Sequence, residues 1–563
     1  MESVEPIESE PRLRASTAKL FVIWAFAAGI PRAAAGSEPI ATRATALPHL
    51  DAYVFPNSVA QGDSVRIYVS TDAPTFDLRI FQDAPTPSTQ LEMRGISGRD
   101  LAVPAQAWQE GCGWSPAVAI TVPPAWPSGM YICEMTVGAR VAGHALFTVR
   151  ERVPGSTAAV LFQASVATWQ AYNNFGGKSL YESNSSDSLR AAIVSMQRPY
   201  AQHGTGLGDY TDFEQPFVHW LASQGIPVEF CTDLDVHADS KLLGAYAMLL
   251  VVGHDEYWSL EKRQHVEHFV TRGGNVGIFS GNTCWMQIRV SSSGDRITCY
   301  KDKSLDPLTS VDNRRVTVVW AADPVLRPEN SLTGLSWRKG GFVNTFGWYP
   351  AAQGYGGYAA YHTDHWAFAG TGLVEGQVFG QSSKIVGLEV DGALFNWING
   401  VPAVTGADAT PRSFSILGLS PASWGYATMG IYTRGGTVFN AATTGWTKGL
   451  SGDPIVARIT RNVLDRLATR AATLQTHLAA APNSGSHRVS LEWQGDVGAP
   501  AELVVYTIDG RRVITLPVPA GPIFGSVEWN GEDARGRRVA SGVYIARLRG
   551  PAGSAAAKVL LMR

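Results

Sequence analysis

Residues 246–288 constrain the fold of this chain more than any other stretch, because two apolar runs in it each end in a polar loop. The first run is followed at once by a polar cluster that includes His254 and Glu256, and the second by a loop that contains Asn282. A helix is predicted between the runs, over residues 259–272, so the stretch has the pattern of a βαβ unit. Such loops line the ligand crevice of an open parallel sheet. We therefore predict that His254 and Glu256 are active-site residues.

Apolar periodicity on both sides of this stretch indicates that strands and helices alternate. Residues 159–162 and 226–230 have the composition of short strands, and residues 456–470 carry apolar side chains at helical spacing. Alternating apolar residues at 316–320 and 385–390 predict strands beside this core. This pattern favours a parallel α/β sheet. One further helix is indicated by Phe213, Phe217, Trp220 and Leu221.

The segments that flank this core are predicted to be all-β. Residues 48–152 contain short strands separated by Pro and Gly, which is typical of an immunoglobulin-like β-sandwich. This region has no chemical motif, which favours a packing or spacer role. Residues 487–563 contain strands joined by turn dipeptides and form a separate β module after a predicted linker, residues 473–486.

The amino terminus is typical of an export signal. Basic residues precede an apolar run at 20–30, and three alanines at 33–35 offer a cleavage site. We therefore predict a signal peptide over residues 1–35 and a linker over residues 36–47, which implies a secreted, periplasmic or cell-surface protein.

Composition argues against several classes of partner. Only 17% of the 563 residues are charged and the net charge is −2, so no broad attraction to nucleic acid or to anionic lipid is expected. Outside the predicted signal peptide, no segment is apolar over a length that would cross a membrane. The five cysteines form no CxxC pair, which argues against a cysteine-based zinc site. In an exported protein we expect Cys112–Cys133 and Cys284–Cys299 to be candidate disulfides, with Cys231 free.

The predicted core, residues 153–472, resembles the C-terminal region of the large (β) subunit of N,N-dimethylformamidase. The resemblance covers about residues 158–470 and implies a class I glutamine amidotransferase-like α/β fold. The expected architecture is therefore multidomain α/β plus all-β, with that core between two β-sandwiches. The matching motifs include TWQAYN at 168–173, GKSLY at 177–181, GHDEYWS at 253–259, GGNVGIFSGN at 273–282 and TVFNAATTGW at 437–446.

The resemblance also implies hydrolysis of a non-peptide C–N bond, that of an amide or a similar small molecule, at a mononuclear ferric ion (Fe3+) held by two tyrosines and one glutamate. The family's His-x-Glu-Tyr-Trp motif makes Glu256 the carboxylate ligand, and Tyr172 matches the first tyrosine. Tyr181 and Tyr200 compete for the second. Phenolate and carboxylate oxygens suit this hard ion, which would polarise the amide carbonyl and activate a water.

Two neighbouring residues have supporting roles in this interpretation. His254 would orient a ligand or move a proton to the leaving amine, and Asn282 would donate a hydrogen bond to the oxyanion. Each of these residues also has a simpler interpretation: a tyrosine can pack in an aromatic loop, Glu256 can stabilise the start of the following helix, and His254 can be a turn residue. Cys284 does not lie at the turn where amidotransferases carry their nucleophile, so a structural role is preferred.

A non-catalytic function is the alternative. The core could be a carbohydrate- or surface-binding module, because Trp and Tyr stack on sugars. The chain also has no counterpart of the formamidase's lectin-like N-terminal portion, which leaves the substrate, a small subunit and the oligomeric state open.

Residues 487–563 resemble the immunoglobulin-like domain of the flagellar hook-capping protein, which implies presentation or attachment outside the cytoplasm.

Overall fold

The computed structural model describes residues 48–343, 354–469, 477–482, 489–494, 501–518, 524–550 and 554–561. The predicted signal peptide (1–35) and the first predicted linker (36–47) lie outside these residues. Within the described ranges, no helix has both the length and the apolar character needed to cross a membrane.

The N-terminal region is a sandwich of two sheets. Its elements are β1 Leu50–Phe55, β2 Ser58–Ala60, β3 Ser64–Thr71, β4 Thr75–Gln82, β5 Ser88–Ser97, α1 Ala107–Glu110, β6 Val118–Thr121, β7 Gly129–Val137 and β8 Arg140–Arg150. The strand orders of the two sheets are β1-β3-β6 and β2-β8-β7-β4-β5. Alternation along the strands sends every second side chain inward, so that Val65 and Ile67 from one sheet meet Ile80 and Cys133 from the other in one core.

The sandwich packs directly on the following region. The buried carboxylate of Asp83, just after β4, accepts hydrogen bonds from Tyr210 (2.8 Å) and Gln215 (2.9 Å) and lies 3.1 Å from His219 Nε2. Because this carboxylate joins the sandwich to two helices of the core, the observed contacts match a packing role for the sandwich.

The core contains both helices and strands. Its helices are α2 Val166–Tyr172, α3 Tyr210–Phe213, α4 Gln215–Ser223, α5 Asp233–Ala238, α6 Leu260–Thr271, α7 Asn330–Thr333, α8 Trp337–Gly340 and α9 Pro454–Leu467, with short 3-10 turns at Gln202–Gly204, Leu242–Ala245, Asn313–Arg315, Trp366–Phe368 and Trp446–Gly449. Its strands are β9 Val160–Ala164, β10 Ile193–Ser195, β11 Glu229–Thr232, β12 Met248–His254, β13 Tyr257–Ser259, β14 Asn275–Gly281, β15 Met286–Val290, β16 Arg296–Thr298, β17 Gly341–Val343, β18 Tyr358–Ala360, β19 Val378–Phe379, β20 Leu388–Gly392, β21 Phe395–Ile398, β22 Val401–Val404, β23 Ser415–Ala422, β24 Gly425–Arg434 and β25 Gly436–Asn440.

A mixed sheet in the order β11-β9-β12-β14-β25-β24-β23-β18-β19 organises this region. Its first five strands are parallel neighbours and the remaining pairs are antiparallel. Successive residues of β12 face opposite sides: Leu250 packs in the cluster that contains α4 and α9, and Val251 in the cluster that contains α6. Burial on both faces explains why these strands are continuous apolar runs in the sequence.

The structure confirms the helix predicted over residues 259–272, which is α6, capped by the Ser259 side chain. The strand predicted over residues 316–320 is wrong, since only Val319 makes an isolated bridge. The backbone N–H of Thr317 donates to the carboxylate of Asp306 instead of to a neighbouring strand. The alternating apolar residues therefore occur here without the hydrogen-bonded ladder of a β-sheet. The second predicted strand beside the core begins later than expected, at Leu388.

The C-terminal region forms two further sheets around its own apolar cluster. The strands are β26 His477–Pro482, β27 Val489–Gln494, β28 Glu502–Thr507, β29 Arg512–Leu516, β30 Phe524–Trp529, β31 Gly542–Arg549 and β32 Ser554–Leu561. The strand orders are β26-β27-β30 and β29-β28-β31-β32. The predicted linker 473–486 is wrong over residues 477–482, which pair antiparallel with β27 and place Leu478 in the apolar cluster.

All five cysteines are free and buried, so the expected disulfides are wrong. The members of each expected pair lie in different apolar clusters: Cys112 packs with Tyr53 and Trp114, whereas Cys133 lies inside the sandwich. Cys284 and Cys299 are likewise in separate clusters of the core.

Candidate active site

The candidate site lies where β12 and β14 end side by side. His254, the last residue of β12, pairs in register with Gly281 of β14, so the two polar loops leave the sheet next to each other. Gly253 has a φ of +81°, and a Cβ there would lie 2.5 Å from Cβ of Phe213. Only glycine therefore permits the turn that brings the polar loop against α3.

The loop after β12 is fastened to α2. The backbone N–H groups of Glu256 and Tyr257 donate to Oγ1 of Thr168, at 3.1 and 3.3 Å. The carbonyl of Glu256 accepts from the N–H of Met286 at 3.0 Å. Since Thr168 lies one turn before Tyr172 on the same helix, one short element sets the position of both Tyr172 and Glu256.

Two phenols converge on one carboxylate oxygen. Tyr172 and Tyr181 both donate to Oε2 of Glu256, at 2.7 and 2.9 Å, and their rings stack with centroids 4.3 Å apart. Tyr257 extends the cluster by donating to Oη of Tyr181 at 2.6 Å. Tyr200 packs its ring edge-on against Trp169 instead, and the described contacts of Glu256 do not include it. The structure thus brings Tyr181, and not Tyr200, to Glu256.

Burial dominates the electrostatics of this cluster. It raises the pKa of Tyr172 and Tyr181 well above the ordinary value, and the Glu256 carboxylate adds to the effect, so both phenols keep their protons and donate. Burial also raises the pKa of Glu256, against the opposing charges of His254 and Lys301. The Lys301 ammonium lies 3.4 Å from the Tyr181 ring centroid, and burial lowers its pKa.

A second carboxylate completes the site. Nε2 of His254 lies 2.9 Å from Oε2 of Glu389, on β20, and 3.6 Å from Oε2 of Glu256. Burial alone would lower the pKa of His254, but the two carboxylates outweigh it and raise that pKa to about 9. The imidazole therefore connects Glu389 to the tyrosine cluster.

Asn282 enters the cluster through Glu389, since its Nδ2 donates to Oε1 of Glu389 at 3.3 Å. Its backbone has a φ of +52°, and its N–H donates to Asp391 at 3.0 Å, which fixes this left-handed turn. Burial raises the pKa of Asp391 to about 8. Cys284 is separate from this group: it packs in the α6 cluster, and burial raises the pKa of its thiol to about 12.

Sequence reasoning missed Glu389, Lys301 and Asp391 as members of the site. Glu389 lies in the strand predicted over residues 385–390, which has no motif, Asp391 directly follows that predicted strand, and Lys301 follows the short strand β16. Tyr257 lies inside the GHDEYWS motif at 253–259, but the sequence assigns it no role. The cause of these omissions is the same: each residue joins the site through tertiary contacts, and no local sequence pattern indicates such contacts.

The oxygen atoms around Glu256 are suited to a hard cation. In the described part of the chain, no group of three or more His, Cys, Asp or Glu side chains is arranged to hold a metal ion. An ion at Glu256 would accordingly depend on the two phenols. The donor set of two tyrosines and one glutamate is present, with both phenol oxygens already directed at the carboxylate.

Comparison with known proteins identified one family. The model for proteins described as N,N-dimethylformamidase beta subunit-like, C-terminal, matches residues 82–461, which is more than half of the chain. The matched range includes Tyr172, Tyr181, His254, Glu256 and Glu389. None of the curated proteins that were compared matches the chain.

Proposed function

The chain belongs to the N,N-dimethylformamidase beta subunit-like family, and from this membership we propose that it hydrolyses the C–N bond of a small amide. We propose further that a mononuclear ferric ion serves the reaction and that Tyr172, Tyr181 and Glu256 hold it. The observation that carries the proposal is the convergence of both phenol oxygens on Oε2 of Glu256.

The state of these groups supports an ion at this position. Two protonated phenols and a buried carboxylate now share protons around one point, and a cation would take the place of those protons. A bound ferric ion would polarise an amide carbonyl and increase the acidity of a bound water. Tyr200 is not proposed as a ligand, because its ring is engaged with Trp169.

His254 and Glu389 are proposed to handle the protons of the reaction. Hydrolysis forms a bond between water oxygen and the carbonyl carbon, breaks the C–N bond and requires a proton on the leaving nitrogen. Nε2 of His254 and Oε2 of Glu389 are 2.9 Å apart, so they can take the proton of the attacking water and return it to the amine. Asn282 holds Glu389 in place, and a transient hydrogen bond from its amide to the oxyanion remains part of the proposal.

The other expectations from the sequence also stand as proposals. We propose that the protein is exported, that its α/β core is amidotransferase-like and that the C-terminal module, similar to the hook-capping immunoglobulin-like domain, attaches it outside the cytoplasm. Sequencing the amino terminus of secreted protein would test export: a start near residue 36 is expected, and an uncleaved terminus in the cytoplasm would contradict it.

Metal analysis of the purified protein tests the central proposal. We expect one iron per chain and a visible tyrosinate-to-iron absorption band, together with hydrolysis of at least one member of a panel of small formamides and acetamides. Glu256→Gln, Tyr172→Phe and Tyr181→Phe should each lose the iron. Tyr200→Phe is the matched control, a buried tyrosine near the site that should keep it. A colourless, metal-free and inactive protein would contradict the proposal and favour a carbohydrate- or surface-binding module.

A further inference from the structure

One buried guanidinium holds the loop that connects Tyr172 to Tyr181. Arg198 is 0% exposed, and its Nη1 donates to the carbonyls of Phe175 (2.8 Å) and Lys178 (3.0 Å). Its Nη2 donates to the carbonyl of Gln170 at 3.1 Å. The three carbonyls lie in α2 just before Tyr172 and in the loop that leads to Tyr181, so a single side chain connects both ends of the loop.

The charge of Arg198 is not balanced by an ion pair. Within the described ranges no carboxylate lies at ion-pair distance from it, and burial lowers its pKa to about 9. Its Nε also donates to a carbonyl, that of Ser195, at 3.1 Å. A buried charge without a counterion is costly, even when carbonyl dipoles solvate it. A neutral side chain would avoid that cost, but it could not donate in four directions from one plane.

A second contact joins the same two segments. Asn173, directly after Tyr172, donates to the carbonyl of Pro199 at 2.8 Å, and its Oδ1 accepts from the N–H groups of Phe175 and Ala201. The segment from Arg198 to Ala201 thus contacts the loop in two ways, through the Arg198 side chain and through the backbone groups bonded to Asn173. The outcome is that the Tyr172 and Tyr181 rings are held in a stack.

We propose that Arg198 is a positioning residue of the metal site, holding Tyr172 and Tyr181 so that both phenol oxygens reach Glu256 before an ion binds. The inference rests on the proposed function for its metal, but the positioning itself is a property of the metal-free protein. When the loop is already rigid, less conformational entropy is lost as the ligands bind the ion, so the ion is bound more tightly.

The test compares Arg198→Lys with a matched control, Arg263→Lys. Arg263 is also 0% exposed and donates to two carbonyls, those of Arg327 (2.6 Å) and Pro328 (2.8 Å), but it holds a segment outside the site. Both variants should lose thermal stability. Only Arg198→Lys should bind iron about 10-fold more weakly and alter the tyrosinate-to-iron band per bound iron.

Hydrogen–deuterium exchange in the metal-free proteins provides a second measurement. Peptides covering residues 173–181 should exchange faster in Arg198→Lys and at the wild-type rate in Arg263→Lys. If Arg198→Lys does not fold, Asn173→Ala, which releases the same loop and keeps the charge, should show the same changes. Wild-type exchange in this loop, or wild-type iron affinity and absorption, would overturn the inference. A wild-type protein that binds no iron would contradict the proposed function, and exchange would then decide the positioning alone.

Discussion

Replacing Thr168 with valine should separate the proposed ligands without changing any of them. Oγ1 of Thr168 accepts from the N–H groups of Glu256 and Tyr257, at 3.1 and 3.3 Å, and Thr168 is fully buried. Valine has nearly the same shape and cannot accept a hydrogen bond. Both N–H groups would then be buried without a partner, next to the carboxylate that the tyrosines contact.

The magnitude follows from the number of lost acceptor contacts. A buried N–H without a partner costs about 1–3 kcal/mol, so two of them cost roughly 2–6 kcal/mol of unfolding free energy. Thr168→Ser keeps Oγ and removes one buried methyl group, which costs about 1 kcal/mol. The valine variant should therefore be clearly less stable than the serine variant, although it is closer to threonine in volume.

Urea unfolding of the two variants provides the assay, with iron titration of the folded proteins as the second measurement. We expect a lower unfolding midpoint and weaker iron binding for Thr168→Val, and values near those of the wild type for Thr168→Ser. If the two variants unfold at the same urea concentration, the hydroxyl does not hold the loop. If the valine variant is destabilised but binds iron like the wild type, the coupling between α2 and Glu256 is wrong.

Three other changes follow from the structure. Glu389→Gln should retain iron but lower kcat about 10²–10⁴-fold, because His254 loses the carboxylate that lies 2.9 Å from its Nε2; an unchanged kcat would remove Glu389 from the mechanism. Burial raises the pKa of Asp391 to about 8, so its contribution to stability is present below its ordinary pKa and is lost as pH rises towards 8. Asp391→Asn should flatten that part of a stability–pH curve, and a curve of unchanged slope would contradict the assignment. Asp83→Ala should cost roughly 2–6 kcal/mol in urea unfolding, since two donors, on Tyr210 and Gln215, lose a buried acceptor. Asp77→Ala is the control, because Asp77 lies on β4 shortly before Asp83 and has a partly exposed side chain, and equal midpoints would refute the role of Asp83.

The βαβ unit around α6 could be predicted because its information is local. Apolar runs of strand length, the Ser259 cap and the glycines after the helix are all contained within residues 246–288. The polar loops then follow from topology, since the carboxyl ends of neighbouring parallel strands lie at one edge of the sheet. For this reason the sequence alone predicts His254 and Glu256 as candidate site residues.

The rest of the site depends on contacts between residues that are far apart in the sequence. Spacing alone could not choose between Tyr181 and Tyr200, because the choice depends on how Arg198 and Asn173 fold the loop between Tyr172 and Tyr181. Glu389 is brought to His254 by a strand outside the nine-stranded sheet, β20, which pairs with β17. Glu389 lies among alternating apolar residues, and nothing in the sequence near it indicates that its side chain contacts His254.

The sandwich helps to position α3, the short helix that packs beside His254. Asp83 fixes Tyr210, the first residue of α3, and Phe213, the last residue of α3, packs beside the His254 ring with centroids 5.8 Å apart. The next residue, Glu214, accepts from Nε1 of Trp169 on α2 at 3.0 Å. One short helix is therefore held between the sandwich, the histidine and the helix that carries Tyr172.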